Sequence, residues 1–394
     1  MKSHILRLAE LARRPERRIL GLMSGTSLDG LDLACCHIAG SGADTRLTVE
    51  CSATLPYDAT FRGEVRRVFA QPAVELPRLA LLNILIAERH AELVLFFLKK
   101  NGIPPQSVDL LASHGQTVWH APARFHRIEG CPDVTLQLGD GDRLARRTGL
   151  ITLSDFRQKH LAAGGEGAPL ALYGDYFLFS KKGEARFLLN VGGIANYSFL
   201  PSDADASKAY ATDTGPGNTL MDAACRRFFD CDYDWGAGIG SGGRLRADWL
   251  EAWLRHPFFQ APPPKTTGPE EFALDWALSL APDAADHPAD LIHTLCALSA
   301  RSIAGSIQKA PADPAPRRIL MSGGGLHNPL LCRMVGDLLP GYALEALAPG
   351  FDPDAKEAVL FALLANEAVA GQALPDRLLG GIPYVGMGKI SFPD

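Results

Sequence analysis

The sequence predicts an α/β protein built from two similarly ordered halves with a cleft between them. Two observations carry this. The order of hydrophobic periodicities runs βββαβαβ through residue 153 and resumes in the same grammar from residue 185. Three strands also run directly into glycine-rich turns, GLMSGTSLDGLD at 21–32, DTGPGN at 213–218 and MSGGGLHN at 321–328. At 394 residues the chain is longer than a single hydrophobic core usually grows. No close sequence repeat links the halves, so the duplication rests on element order.

Before the first half, Ile5, Leu6, Leu8 and Leu11 space out as a short amphipathic helix. RILGLM (18–23) and LDLACCHI (31–38) read as strands joined by the turn-forming SGTSLDG, and TRLTVECSATLPY (45–57) as a third. Pro77–Lys100 is apolar at helical spacing, with its proline at the first helical position and Asn101-Gly102 as a stop. A strand at Leu110–Ser113 leads into SHGQT, and strands at 134–138 and 150–153 flank a helix at Gly141–Arg147. In the second half, Ala185–Val191 is a strand running into Gly192-Gly193, Ile194–Leu200 is the next, and Tyr210–Thr212 begins a third. DTGPGN then opens a helix, TLMDAACRRFF. After the proline-rich Ala261–Pro264, helices fill 287–309, a strand occupies Arg317–Met321, and helices follow at Asn328–Leu339 and Ala355–Gly371. Asp352 reads as the N-cap of the last helix with Pro353 at N1. The expected division is 18–150 plus 355–394 for the N-terminal lobe and 151–354 for the C-terminal lobe.

A net charge of −5 argues against a nucleic-acid partner. The eight cysteines form no C-x-x-C pair, so neither a zinc site nor a disulfide framework is expected, and reduced thiols in the cytoplasm fit best. No apolar run reaches the roughly 18 residues of a membrane span, and the basic start lacks the apolar core of a signal peptide.

Each glycine turn has two readings when taken alone. Residues 21–32 suit a plain hairpin turn, or a loop whose glycines let backbone N–H groups approach a phosphate while Asp29 holds Mg²⁺ directly or through water. The loop is not a Walker A motif, because no lysine follows at the needed spacing. In DTGPGN, Asp213 is either a turn former or a strand-end carboxylate placed as a general base, beside a helix N-terminus that favours an anion. The three glycines at 323–325 suit a packing turn or the close approach of an adenosine. Glu357, early in the last helix, reads by itself as a solvated surface charge.

The three turns in this order resemble the first phosphate, second phosphate and adenosine segments of the actin/hexokinase/heat-shock-ATPase superfamily. The ordered set GLMSGTSLDGLD, SHGQTVWH, LQLGDGDRLA, SDFRQKHLAAGGEGAPL, LLNVGGIAN, DTGPGNTLMDA, PPPKTTGPEEF, MSGGGLHNPLL and DAKEAVLFALLANE, covering roughly 18–371, resembles the anhydro-N-acetylmuramic acid kinase family. The resemblance implies a duplicated actin-like ATPase (ribonuclease H-like) two-lobe fold with a central cleft. It implies a cytoplasmic kinase that uses ATP and Mg²⁺ to open a 1,6-anhydro sugar by hydrolysis and phosphorylate its O6, in cell-wall recycling. It assigns Asp213 and Glu357 as the catalytic pair. Gly25, Thr26, Ser27, Leu28, Asp29, Gly30, Leu31 and Asp32 form the ATP stretch, with Asp29 for the metal. Thr214, Gly215, Gly217 and Asn218 match the second phosphate segment, and Gly323, Gly324 and Gly325 the adenosine segment. The substrate's lactyl carboxylate makes the guanidinium of Arg157 a candidate partner, and His114, Gln116 and Thr117 are candidates to line the sugar. The resemblance also implies a homodimer, a small-molecule sugar as the partner, and neither nucleic acid nor membrane. Two features depart from the family pattern: Glu166 stands where the family has glutamine, and GGIPYVGMGKISFPD replaces a PSVTGA-like segment. They leave a kinase for a different 1,6-anhydro or amino sugar as an alternative, and a non-enzymatic nucleotide-binding switch as a second.

Overall fold

The computed structural model describes all residues except 1–2, 26–27, 168–169, 269–270, 348–349, 351, 353–354, 372–377 and 380–381. The chain divides into two compact units, Met1–Leu178 with Pro349–Asp394 and Phe179–Ala348.

The first unit is built on a seven-stranded sheet. It draws on β1 (Glu16–Ser24), β2 (Gly30–Ala39), β3 (Arg46–Pro56), β4 (Leu110–Ala121), β5 (Val134–Leu138) and β6 (Thr152–Ser154). The second unit supplies β7 (Ala185–Val191), β8 (Ile194–Leu200), β9 (Tyr210–Pro216), β10 (Arg317–Ser322) and β11 (Ala343–Ala346). From Pro349 the chain is back in the first unit, where β12 (Leu378–Leu379) and β13 (Ile382–Pro383) pair antiparallel and β14 (Lys389–Ser391) joins the edge of the first sheet.

Both sheets have one plan. In the first, β1, β2 and β3 form an antiparallel meander, β4 lies parallel to β1 on its other side, and β6 lies parallel to β4. In the second, β7, β8 and β9 form the meander, β10 is parallel to β7, and β11 is parallel to β10. The orders β3-β2-β1-β4-β6 and β9-β8-β7-β10-β11 coincide, so the duplication expected from element order is present as topology. The central β1 is buried almost throughout, while β3 at the edge alternates between half-buried and exposed, as a one-sided strand must.

Alternation along β1 decides what packs on each face. Leu20 and Leu22 point into a core with Leu31, Leu33, Leu111, Ala91, Val94 and Phe97, under the helix Leu76–Lys100. Gly21 points the other way. A Cβ placed there would lie 1.9 Å from the carbonyl oxygen of Ala358, so β1 meets the backbone of the helix Lys356–Ala370 directly. At the far end of that helix, Arg17 is buried, and its Nε donates to Asn366 Oδ1 at 2.6 Å and its Nη2 to the Gly40 carbonyl at 3.0 Å.

Three expectations change. SHGQT lies inside β4, which continues to Ala121 because β5 pairs with its second half. Residues 151–178, expected in the C-terminal lobe, fall in the first unit, since β6 pairs with β4. The last helix begins at Lys356 with Ala355 at its N-cap, and the Asp352 carbonyl accepts the Ala355 N–H at 3.0 Å. Pro353 lies outside the described residues. No helix among the described residues is long and apolar enough to cross a membrane.

Gly21→Ala is expected to destabilise the protein by about 3 kcal/mol, since the methyl collides with backbone that cannot rotate away. The midpoint of urea unfolding measures this, and an unchanged midpoint would refute the close approach.

Candidate active site

In the first unit, β1 ends on a buried polar chain. Ser24 Oγ donates to Gln116 Oε1 at 2.5 Å and lies 2.7 Å from the Tyr57 hydroxyl, which is 2.9 Å from His90 Nε2. Gln116 Nε2 donates to the carbonyls of Gly25 at 3.2 Å and Thr117 at 3.1 Å. Gln116 therefore fixes the entry to the glycine turn from inside the fold. Thr117 accepts from Gln137 Nε2 at 3.2 Å. Thr26 and Ser27 lie outside the described residues. Leu28 has φ of 58° and is buried with Val65, Leu82, Ile86, Val118 and Leu138, which pins the turn to the core. Asp29 Oδ1 accepts the Gly30 N–H at 3.0 Å, and the Asp29 carbonyl accepts the Tyr57 N–H at 3.0 Å. Leu31 is core, and Asp32 Oδ1 accepts the Thr54 hydroxyl at 2.5 Å.

A second cluster in the same unit surrounds Arg157, the second residue of the helix Phe156–Ala162. Its Nε donates to His114 Nε2 at 2.9 Å and its Nη1 to the Gly167 carbonyl at 2.7 Å. The Gly167 N–H is taken by His160 Nδ1 at 2.9 Å, so one residue of the AAGGEG loop is gripped on both sides. His114 is buried on β4, its ring 4.7 Å from that of Phe361 on the last helix. Burial and the Arg157 cation hold His114 well below its ordinary pKa, so it is a neutral acceptor for Arg157. Burial pulls Arg157 down to about 10, opposed by the nearby Glu357. Glu357 is open to solvent on one side yet crowded by protein. That crowding raises its carboxyl, Arg157 and Lys356 lower it, and Asp32 raises it again.

In the second unit, Asp213 lies inside β9 rather than at its end, because β9 runs on to Pro216. Its N–H donates to the Lys265 carbonyl at 2.9 Å, and its Oδ2 accepts the Thr267 N–H at 2.9 Å. Burial raises its carboxyl, partly offset by that N–H. Thr214 Oγ1 donates to the Ala195 carbonyl at 3.1 Å. The sequence suggested a helix N-terminus offering amides to an anion. At the approach to that helix the N–H groups of Gly217 and Asn218 donate to the carbonyls of Gly193 and Gly192 at 2.8 Å, and that of Thr219 to Gly193 at 3.2 Å. A Cβ on Gly217 would come 2.3 Å from the Gly192 oxygen, which is why glycine is needed there. Asn218 Nδ2 donates to the Val191 carbonyl at 3.3 Å, and the turn with Gly323, Gly324 and Gly325 lies against Asn190, Val191 and Asn218. Gly215 faces Phe258 and Phe259. The DTGPGN and GGG segments thus meet at the end of β7.

Among the described residues no group of three His, Cys, Asp or Glu could hold a metal, and all eight cysteines are free. Sequence reading missed Ser24, Tyr57, His90 and Thr267. Nothing in a sequence shows that a coil 54 positions away bonds an edge strand, and Gly192-Gly193 was legible only as a strand end.

The family described as anhydro-N-acetylmuramic acid kinase matches residues 17–382. The chain belongs to that family. It is similar to the anhydro-N-acetylmuramic acid kinase of Pseudoalteromonas atlantica, 46% identical over 401 residues covering 100% of both chains. It is similar also to that of Pseudoalteromonas translucida, 42% identical over 402 residues and again covering 100% of both. A more distant likeness is to the solved activator of the 2-hydroxyisocaproyl-CoA dehydratase from Clostridium difficile with bound ADPNP, at TM-score 0.40 and 10% identity, covering 89% of this chain and 95% of that one.

The buried histidines of this anhydro-N-acetylmuramic acid kinase family member generate a pH prediction. His90, His114 and His160 are all lowered, His90 to about 3. The unfolded chain therefore binds protons below about pH 6.5 that the native state refuses, so stability is lost as pH falls from there. The raised carboxyls of Asp213 and Glu357 oppose this trend, taking protons first in the native state. His114→Gln isolates one histidine: between pH 6.5 and 5 its unfolding free energy should fall less steeply than wild type's, by up to about 1.4 kcal/mol per pH unit. Equal slopes in urea titrations would show His114 to be protonated in the native state.

Proposed function

We propose that this protein is an ATP-dependent kinase that opens 1,6-anhydro-N-acetylmuramic acid with water and phosphorylates its O6, giving N-acetylmuramic acid 6-phosphate and ADP. The observation that carries the reading is end-to-end similarity to kinases of that name, with an aspartate in the DTGPGN motif whose carboxyl is raised by burial and aimed by one backbone N–H.

Asp213 acts as the general base. It takes one proton from a water whose oxygen bonds to the anomeric carbon. The bond from that carbon to O6 breaks, O6 bonds to the γ-phosphorus, and the bond from that phosphorus to the bridging oxygen breaks to release ADP. The proton stays on Asp213 until solvent removes it. A carboxyl raised by burial is a stronger base than an exposed one. Glu357 steadies the reacting oxygens. The 25–32 turn, Thr214–Asn218 and the 323–325 turn hold ATP. Among the described residues there is no protein cage of three ligands, and Mg²⁺ fits as an ion brought on the phosphates, with Asp29 as its protein ligand through oxygen or water. Such an ion would neutralise phosphate charge. Use of ATP agrees with a cytoplasmic setting.

Arg157 receives the lactyl carboxylate. Its two hydrogen bonds go to a neutral imidazole and a carbonyl, which aim the guanidinium without neutralising it.

Incubation with ATP, Mg²⁺ and the anhydro sugar should release ADP and form a 6-phosphosugar, and folded protein that gives no turnover would overturn the substrate. Asp213→Asn should lower kcat by at least about 100-fold while ATP still binds, and near-normal turnover would remove the base assignment. Arg157→Met should raise KM on the order of tenfold or more for the lactyl-bearing sugar. Its KM for 1,6-anhydro-N-acetylglucosamine, which has no carboxylate, should stay within about twofold, and a parallel rise in both would assign Arg157 elsewhere.

A further inference from the structure

We propose that Lys265 is a positioning residue for Asp213, its ammonium fastening the 258–267 segment whose backbone aims that carboxylate. The proposal rests on the reading of Asp213 as the base. From sequence, the lysine of PPPKTTG is a free cation that meets a phosphate or is simply solvated. In the fold it has another task. Nζ donates to the carbonyls of Phe258 at 2.6 Å and Ala261 at 3.2 Å, and sits 4.2 Å from the Phe258 ring centroid. Those carbonyls close the short helix Pro257–Gln260, so the ammonium caps a helix C-terminus, where a cation is favoured.

The backbone of the same residue runs along β9. The Lys265 carbonyl accepts the Asp213 N–H at 2.9 Å, and the Lys265 N–H donates to Thr212 Oγ1 at 3.0 Å. Two residues on, the Thr267 N–H holds Asp213 Oδ2 at 2.9 Å, and the Thr267 hydroxyl is tied to the Glu271 carboxylate. One side chain therefore anchors a coil segment at one end, and the other end of that segment points the carboxylate. Phe258 and Phe259, on the capped helix, pack against Phe272, edge-on and tilted respectively, and cover Gly215.

The site is electrostatically unfavourable for a lysine, which separates this role from a chance contact. Lys309 caps the same helix, donating to the carbonyls of Phe259 at 3.1 Å and Gln260 at 3.3 Å. Arg301 lines the same cavity of about 320 Å³, and among the described residues no carboxylate lines it. Burial and the facing Lys309 bring Lys265 down to about 8. Among the described residues, what holds that charge in place is the pair of carbonyls it gathers.

The test compares wild type, Lys265→Met, Lys265→Arg and Thr267→Pro in kinetics across pH, with Asp213→Asn alongside. Lys265→Met should lower kcat on the order of tenfold, with KM for ATP within about twofold, because the base is misplaced rather than removed. The acid limb of kcat/KM should move toward higher pH by up to about one pH unit, the size of one lost hydrogen bond to a carboxylate. Lys265→Arg, which keeps the donors, should restore kcat. If Lys265→Met fails to fold, the limb is read from Thr267→Pro, which deletes the N–H itself. An unmoved acid limb with lowered kcat would show a merely structural lysine and sink the proposal. Hydrogen exchange at the Thr267 amide gives an arm independent of chemistry: Lys265→Met should speed it on the order of tenfold, and unchanged exchange overturns the proposal. Retained activity in Asp213→Asn, with faster exchange in Lys265→Met, would instead remove the base assignment alone.

Discussion

The contact between Gly21 and the Ala358 carbonyl governs the first unit. A side chain of any size at position 21 would lift the last helix off the sheet. Its absence lets fifteen residues of helix lie against the central strand, and the elements around Arg157 take their places from that seating. Glu357 is one position before the contact and Phe361 three after it. Phe361 packs on His114 and Phe156, and His114 in turn accepts from Arg157. At the other end, Asn366 and Glu367 close on Arg17, Gly40 and Gly42. The helix is nailed at both ends, so its first turn has little freedom to shift Glu357.

The second unit meets the corresponding need with backbone. Gly192 and Gly193 present their carbonyls to the last two amides of the DTGPGN turn and to the first of the helix after it, and the absence of a Cβ at Gly217 permits the approach. An edge strand such as β9 is normally a liability, with its N–H and C=O groups unpaired. Here the 265–267 segment covers that edge and, in the same act, gives Asp213 a hydrogen bond. Protecting the edge and aiming the carboxylate are one structural event.

What the sequence made legible follows from this. Strands and helices were readable because their periodicities are local, and even the duplication could be seen in element order. The glycine turns were readable as places of close approach. What each glycine approaches was not, since Gly21 meets a residue more than three hundred positions away. Asp213 could be picked out only by family resemblance, because a DTG turn has many uses. Its holders, Lys265 and Thr267, sit in coil where no period operates. His114 was legible as a candidate to line the sugar but not as a residue buried beneath Arg157, because β4 continues through SHGQT only by pairing with β5. The expected lobe boundary at 150 failed to anticipate β6 as a strand of the first sheet for a similar reason: three residues carry too little pattern to declare their partner.

The charged groups of the two units are handled by opposite means, and the difference has chemical content. Asp213 keeps one acceptor bond and loses most of its water, so its charge is destabilised and its basicity rises. Arg157 also loses water, but its partners are a neutral imidazole and a peptide carbonyl, which orient the fork and leave its charge to act on Glu357 and on whatever anion arrives. Pairing Arg157 tightly with a carboxylate would have repaid its desolvation and removed its pull on a ligand. Keeping His114 neutral is what prevents a second cation from repelling the guanidinium, and burial of the imidazole against Phe361 is what keeps it neutral. The seating of the last helix on β1 thus reaches the electrostatics of the site, through one ring contact and one protonation state.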